Sequence, residues 1–397
     1  MAQNRIDCRY NGHDFHPSPS KIAMTTTDIP IRFDTLPTAN GQHLGIATLW
    51  SEKSLNALSL EMIRPLAAQL QQWHDDNNIA AVLLRGAGDK AFCAGGNIRQ
   101  LYNSMLAHPT LPNPAAVDFF GHEYALYRQM HMYAKPIVLW ASGIVMGGGL
   151  GLTAAASHRI VTDTTRMAMP EITIGLYPDA GGSWFLQRMP AKSGLFLGLT
   201  GIPFNGRDAI ITNLGDYAMS ADAWPQLLAA LQQADWQTHA RHNHAIASHT
   251  LNTLHQPHRL PESQLLPHLE TVHDILNAGD IHAVDERLRA GFSDPWLQRA
   301  ADTYSQGCPA TAALTWRLFE RARHLSLAQI LHMELIVSLH CCHNGDFQEG
   351  VRALLVDKDK QPRWTRSLAE CSPAYIDSHF VSPFAAGEHP FDAWLRH

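Results

Sequence analysis

PIVLWASGIVMGGGLGLTAAA, residues 136–156, is the stretch whose reading decides the architecture. It is apolar and long enough to cross a bilayer as one helix. It also holds five glycines, and Ser142 and Gly143 interrupt it near its middle. No second run of this kind occurs in the chain, so a membrane bundle would have nothing to pack it against. A buried strand, a glycine-rich turn and the start of a buried helix account for it better.

The same grammar extends outward. LGIATLW (44–50), IAAVLLRG (79–86), KPIVLWASG (135–143) and HRIVTDT (158–164) read as strands. LSLEMIRPLAAQLQQWHDD (58–76) has helical spacing despite Pro65, and SGLFLGLTG (193–201) reads as a helix that ends at Gly201. Strands alternating with helices predict an α/β fold with buried parallel strands over residues 28–221. From 222 to 397 the pattern turns helical and is expected to pack back on the first part. Residues 1–27 are polar and read as a poorly ordered extension.

Composition narrows the function. The 397 residues are 45% hydrophobic and 17% charged, with a net charge of −6. That suits a globular protein with a large core and gives no global attraction to nucleic acid or an anionic membrane. The six cysteines form no CxxC pair, and no apolar leader precedes the first strand. Reduced thiols and a cytoplasmic location are therefore expected. Eight histidines fall within 239–273, among them His239, His242 and His244. Their spacing matches no standard zinc pattern, so solvated helix faces are expected, and CCH at 341–343 is read the same way.

Three glycine-rich stretches stand out: KAFCAGGN (90–97), MGGGLG (146–151) and AMPEITIGLYPDAGGS (168–183). The first two follow strands. Glycines leave backbone N–H groups accessible, and a helix N-terminus adds partial positive charge. Two such donors from separate segments form an oxyanion hole. The third stretch is nearly all apolar, Gly and Pro, yet Glu171 and Asp179 interrupt it. Carboxylates are costly to bury without partners, which marks the pair as chemical. Gly149, Gly151 and Ala154 satisfy the weak form of a dinucleotide fingerprint, but the acid expected about twenty residues on is poorly placed. No P-loop, serine elbow or HExxH motif occurs. The residues alone thus point to carbonyl chemistry with a backbone oxyanion hole and an acidic base.

KAFCAGGNIRQL, MGGGLGL, AMPEITIGLYPDAGGSWFLQRMP and LTGIPFNGRDA together resemble the crotonase (enoyl-CoA hydratase/isomerase) superfamily. GDFQEGVRALLVDKDKQPRW (345–364) resembles its thioester-hydrolase branch. The resemblance spans roughly residues 30–365 and is loose over 225–300. It implies a crotonase-like spiral of ββα units with a mostly helical C-terminal region. It implies an acyl-CoA substrate whose carbonyl oxygen is held by the N–H groups of Gly96 and Gly148, with Glu171 and Asp179 catalytic and Glu123 contacting substrate. Family hydratases carry one glutamate just after the GGG run, where this chain has Gly151, and a second that corresponds to Glu171. Hydration by two glutamates is therefore disabled, and Asp179 becomes the partner of Glu171. The implied reaction is hydrolysis of a short branched β-hydroxyacyl-CoA, with no metal and no cofactor beyond the coenzyme A of the substrate.

Asn97 replaces the family's aspartate and is expected to cap the helix after it. The resemblance also implies a homo-oligomer, since many relatives form trimers, although a longer C-terminal region could cover the usual interface. The alternatives are an isomerase or hydratase of the same superfamily, a catalytically retired structural subunit and, last, a dinucleotide reductase.

Overall fold

IAAVLLRG shows how the strands are built. Ile79–Gly86 is a strand buried along its whole length apart from half-buried Arg85. The computed structural model describes residues 29–395, so the extension expected at 1–27 lies outside the described residues. Ten strands occur in that range: β1 (Ile31–Pro37), β2 (His43–Leu49), β3 (Ile79–Gly86), β4 (Ala91–Cys93), β5 (Ile137–Ala141), β6 (Ile144–Met146), β7 (His158–Thr162), β8 (Arg166–Ala168), β9 (Phe204–Asn205) and β10 (Tyr217–Met219). A six-stranded sheet runs β1-β2-β3-β5-β7-β10, and a four-stranded sheet runs β4-β6-β8-β9. In the larger sheet β1 is antiparallel to β2 and every other pair is parallel.

From β3 to β8 consecutive strands fall in different sheets. β3 lies in the first and β4 in the second; β5 and β6, then β7 and β8, repeat the step. Helices Ile98–Ala107 and Pro114–His131 follow the first pair and Gly148–Ala155 follows the second. Each ββα unit therefore adds one parallel strand to each sheet, because a parallel neighbour needs a crossover and the helix supplies it. This is the expected spiral.

Alternate residues of the large sheet feed two cores. Val82, Leu84, Ile137 and Leu139 join the main cluster. Ala81, Leu83, Val138 and Trp140 face Leu227 and Leu231 on helix Trp224–Gln233, Ala247 and Leu251 on helix Ala240–Leu254, and Trp236 in the segment between the two helices. Helices cover both faces, which is why the strands read as continuous apolar runs. From Trp224 onward the described residues form helices and no strand. Helix Leu327–His343 packs along helix Pro114–His131, bringing the C-terminal part to the edge of the spiral core. Gly201 closes helix Ser193–Thr200 at φ +60, as its position suggested.

Candidate active site

The turns after β4 and β6 meet. After β4, Ala94 N–H donates to Leu55 O (3.0 Å), Leu58 N–H to Gly95 O (2.8 Å) and Asn97 N–H to Leu58 O (2.6 Å). These bonds strap the turn down, and Gly95 holds φ +104, which a side chain resists. After β6, Gly147 adopts φ +51 and Gly148 opens a helix. A methyl on Gly95 would lie 3.8 Å from the Gly148 nitrogen, so the two turns touch. Neither the Gly96 nor the Gly148 N–H donates to another described residue. Two free donors thus sit side by side, one at a helix N-terminus.

Three carboxyl groups close on this spot. Glu171 opens a 3₁₀ turn, Glu171–Ile174, and is buried. A methyl on Gly147 would lie 2.8 Å from its Oε1, and the φ of +51 there favours glycine. Its Oε2 is buried without a partner among the described residues. Glu123 comes from the middle of helix Pro114–His131 and is also buried. A methyl on Gly148 would lie 2.5 Å from its Oε1. Asp179 is buried and accepts from Tyr124 Oη–H at 2.7 Å.

Burial disfavours the charged form of all three. It pushes Glu123 up to about 8, with Asp179 adding repulsion. Glu171 rises well above the usual carboxyl range, first from burial and then from the charge of Asp179. Burial also raises Asp179, but Tyr124 and nearby backbone N–H groups hold it to about 6. The negative charge of the group therefore rests best on Asp179.

The structure also shows what fills the place beside Gly151. A methyl there would lie 2.7 Å from the Tyr127 ring carbon Cζ and 2.9 Å from the Ala180 carbonyl. The Tyr127 ring takes the space a side chain at 151 would need. Its hydroxyl reaches Glu123 Oε1 (2.7 Å) and Gly148 O (3.0 Å), tying that glutamate to the glycine turn.

All five sequence-predicted residues, Gly96, Gly148, Glu171, Asp179 and Glu123, thus gather in one place. Sequence reasoning missed their supports. Glu334, fully buried, accepts from Gly181 N–H (2.7 Å) and Ser183 N–H (2.9 Å) and clamps the turn after Asp179. Its signal was present: it is the one acid in the helix LAQILHMELIVSLHCCH. Helix Asp346–Val351, from the branch-specific motif, packs behind Glu171. Gly175, at φ +71, meets the Asp346 carbonyl there, and Gly350 lies against Ile174.

Two expectations change. Asn97 is the N-cap of helix Ile98–Ala107, but its side chain makes no capping bond. Its φ/ψ of −77/78 is not the extended geometry that aims a side-chain oxygen at the first turn. The histidines of 239–273 are not all solvated. His244 Nε2 bonds Ala134 O, His255 Nδ1 accepts from Ala218 N–H, and His268 stacks on Trp296. Among the described residues the one group with metal-like spacing is His332, His389 and Asp392, outside that run. There His389 Nδ1 accepts from Phe391 N–H while Nε2 meets His332 O, so both ring nitrogens are engaged. The five described cysteines are free and buried.

Residues 44–380 match the family model described as enoyl-CoA hydratase/isomerase. The chain belongs to that family. It is 36% identical over 342 residues to the mitochondrial 3-hydroxyisobutyryl-CoA hydrolase of Xenopus tropicalis, covering 85% of this chain and 86% of the relative. The Danio rerio enzyme of the same name is also 36% identical, over 85% of this chain and 87% of its own. A solved structure titled carnitinyl-CoA dehydratase, from Mycobacterium thermoresistibile, superposes with a TM-score of 0.79 at 32% identity, over 91% of this chain and 98% of that one. The family assignment and the crotonase fold follow. The expected cytoplasmic location does not stand, because these hydrolase relatives are named as mitochondrial. Free thiols mark a reducing compartment and do not distinguish one from another. No helix of the described residues is long and apolar enough to cross a membrane.

Proposed function

We propose that this chain hydrolyses 3-hydroxyisobutyryl-CoA, a short branched β-hydroxyacyl thioester, to the free acid and coenzyme A. The observation that carries the reading is Glu171: a buried carboxyl with an unpartnered oxygen, beside two free backbone N–H groups. The names of the relatives support the acyl group.

In this scheme the Gly96 and Gly148 N–H groups hold the thioester oxygen and take up its developing charge. Glu171 and Asp179 share one proton, which rests on Glu171 in the free site. Asp179 takes it through water, and Glu171 is then armed. As general base, Glu171 receives a proton from water while hydroxide adds to the carbonyl carbon. The C–S bond breaks and Asp179 returns its proton to the thiolate, leaving both acids as they began. As nucleophile, Glu171 adds to the same carbon, the C–S bond breaks as the Asp179 proton passes to the thiolate sulfur, and an acyl anhydride remains. Ionised Asp179 then takes a proton from water while hydroxide adds to the Glu171 carbonyl carbon, and the expelled carboxylate leaves with that proton, restoring both acids. Glu123, anchored by Tyr127, meets the substrate's β-hydroxyl. Coenzyme A enters only as part of the substrate.

Glu171→Gln should lower thiol release from 3-hydroxyisobutyryl-CoA by about 10²–10⁴-fold with ester binding retained. Turnover near the parent rate overturns the assignment. Crotonyl-CoA assayed beside it should gain no water, and hydration faster than thiol release would instead favour the hydratase reading. A single turnover in ¹⁸O-water separates the two roles: label in the Glu171 carboxyl marks the anhydride.

A further inference from the structure

Behind Asp179 three hydroxyls stand in line. Tyr124 Oη is 2.7 Å from Asp179 Oδ2 and 2.8 Å from Ser338 Oγ. Ser338 Oγ is 2.9 Å from Tyr177 Oη, which is 2.8 Å from the Glu334 carbonyl oxygen. Tyr124, Tyr177 and Ser338 are each 0% exposed. Each hydroxyl has one proton to give, so the line has three protons for its four contacts. With Asp179 ionised, Tyr124 donates to Asp179 and Tyr177 to the Glu334 carbonyl, while Ser338 donates to one of the two tyrosines and its contact with the other holds no proton. With Asp179 protonated, a fourth proton enters. The carboxyl then donates to Tyr124, Tyr124 to Ser338, Ser338 to Tyr177 and Tyr177 to the Glu334 carbonyl. Every contact is filled, and the line ends on an acceptor that cannot turn.

We propose that Tyr124, Ser338 and Tyr177 form a reversible hydroxyl chain that lets Asp179 take up and release its proton during turnover, with Ser338 as the positioning residue at its centre. The inference rests on the reading of Asp179 as a catalytic acid. No proton leaves the chain. The hydroxyls rotate, and the proton Asp179 gains comes from Glu171 through water and goes to the thiolate sulfur. Without such a chain the ionised form would leave a buried carboxylate oxygen unpaired and the protonated form a buried donor, and either costs more than a lost bond. Helix Leu327–His343 thereby contributes Ser338 and the Glu334 carbonyl to a site whose acids all lie in the spiral core. The other titratable groups that sense Asp179 are Glu171 on its own segment, Glu123 and Tyr127 on helix Pro114–His131, and Glu334, Cys341 and Cys342 on helix Leu327–His343.

The test is the acid limb of the kcat/KM profile, where a second proton enters the Glu171–Asp179 pair. Tyr124→Phe removes the donor that supports ionised Asp179, so the limb should move up by about 0.5–1 pH unit, the size of one net hydrogen bond. Ser338→Ala cuts the path that supports protonated Asp179 and leaves Tyr124 pointing at the carboxylate, so the limb should move down by a similar amount. Ser338→Thr, which keeps the hydroxyl, should restore it. Tyr177→Phe, one link further, should move it as Ser338→Ala does but by less, and serves if Ser338→Ala does not fold. Limbs that stay put, or that move the same way in Tyr124→Phe and Ser338→Ala, overturn the chain. Asp179→Asn tests the underlying reading separately: near-parent turnover there removes Asp179 from the chemistry whatever the other variants do.

Discussion

Gly148 and Gly151 sit one helical turn apart and fail for different reasons when substituted. At 148 an added methyl collides with the Glu123 carboxyl and the Tyr127 hydroxyl. Gly148→Ala should therefore displace the acid and spoil the N–H donor together, with turnover down by about 10²–10³-fold in a thiol-release assay and the far-UV circular dichroism unchanged. At 151 the collision is with the Tyr127 ring and a backbone carbonyl, neither of which is the free end of a flexible chain. Gly151→Glu should thus fail to confer hydration of crotonyl-CoA and should lower the urea midpoint; measurable hydration with an intact midpoint would show that the ring yields. Glu171 and Asp179 were legible in the sequence because charge inside an apolar, proline-bounded stretch needs an explanation. Tyr127 was not legible. An aromatic on an amphipathic helix looks like core, and only the fold shows that this one occupies the space next to Gly151.

Among elements, length decided what could be read. The eight-residue β3 and the helix through Pro65 were clear from periodicity alone. The strands of the second sheet, two to three residues each, were not, because so few residues display no alternation. Helix Leu327–His343 lies in the part read as helical, but its role was hidden: Glu334 and Ser338 act on residues more than 150 positions earlier. Glu334→Gln is the informative change. One carboxyl oxygen accepts from each of two N–H groups, and an amide can keep only one of those bonds while turning its NH₂ against the other donor. The variant should lose about 1–3 kcal/mol of stability, read from the urea midpoint, and thiol release should fall because the turn carrying Asp179 loosens. An unchanged midpoint would mean that the turn holds without its clamp.

For the molecule as a whole, the buried acids set how stability follows pH. Burial pushes both Glu123 and Glu334 up to about 8 in the folded protein, from an ordinary value of 4.5. The folded state then binds more protons than the unfolded state between those values. Their contribution is complete below about pH 4.5 and is lost as pH rises through 8, so melting temperature should fall from pH 5 to 8.5. Glu123→Gln should flatten that slope, and a melting temperature that rises across the interval would contradict the assignment of these groups as protonated acids. The α/β spiral itself was legible from strand and helix alternation, but the union of its two parts was not. It depends on side chains such as Trp236, which the sequence shows only as members of a polar helical stretch.

The clamp on the Asp179 turn also sets an order in time. Gly181 and the Glu334 carboxyl group that holds it are 153 residues apart in the chain. At about 5–20 residues per second of synthesis, the turn waits roughly 8–30 s for its partner to be made. During that interval the emerging polypeptide has both glycine turns and all three acids but no Glu334 or Ser338. A message cut or stalled before codon 334 would yield a chain with both glycine turns and no anchor for its second acid, so synthesis itself delays the moment at which this enzyme can first act.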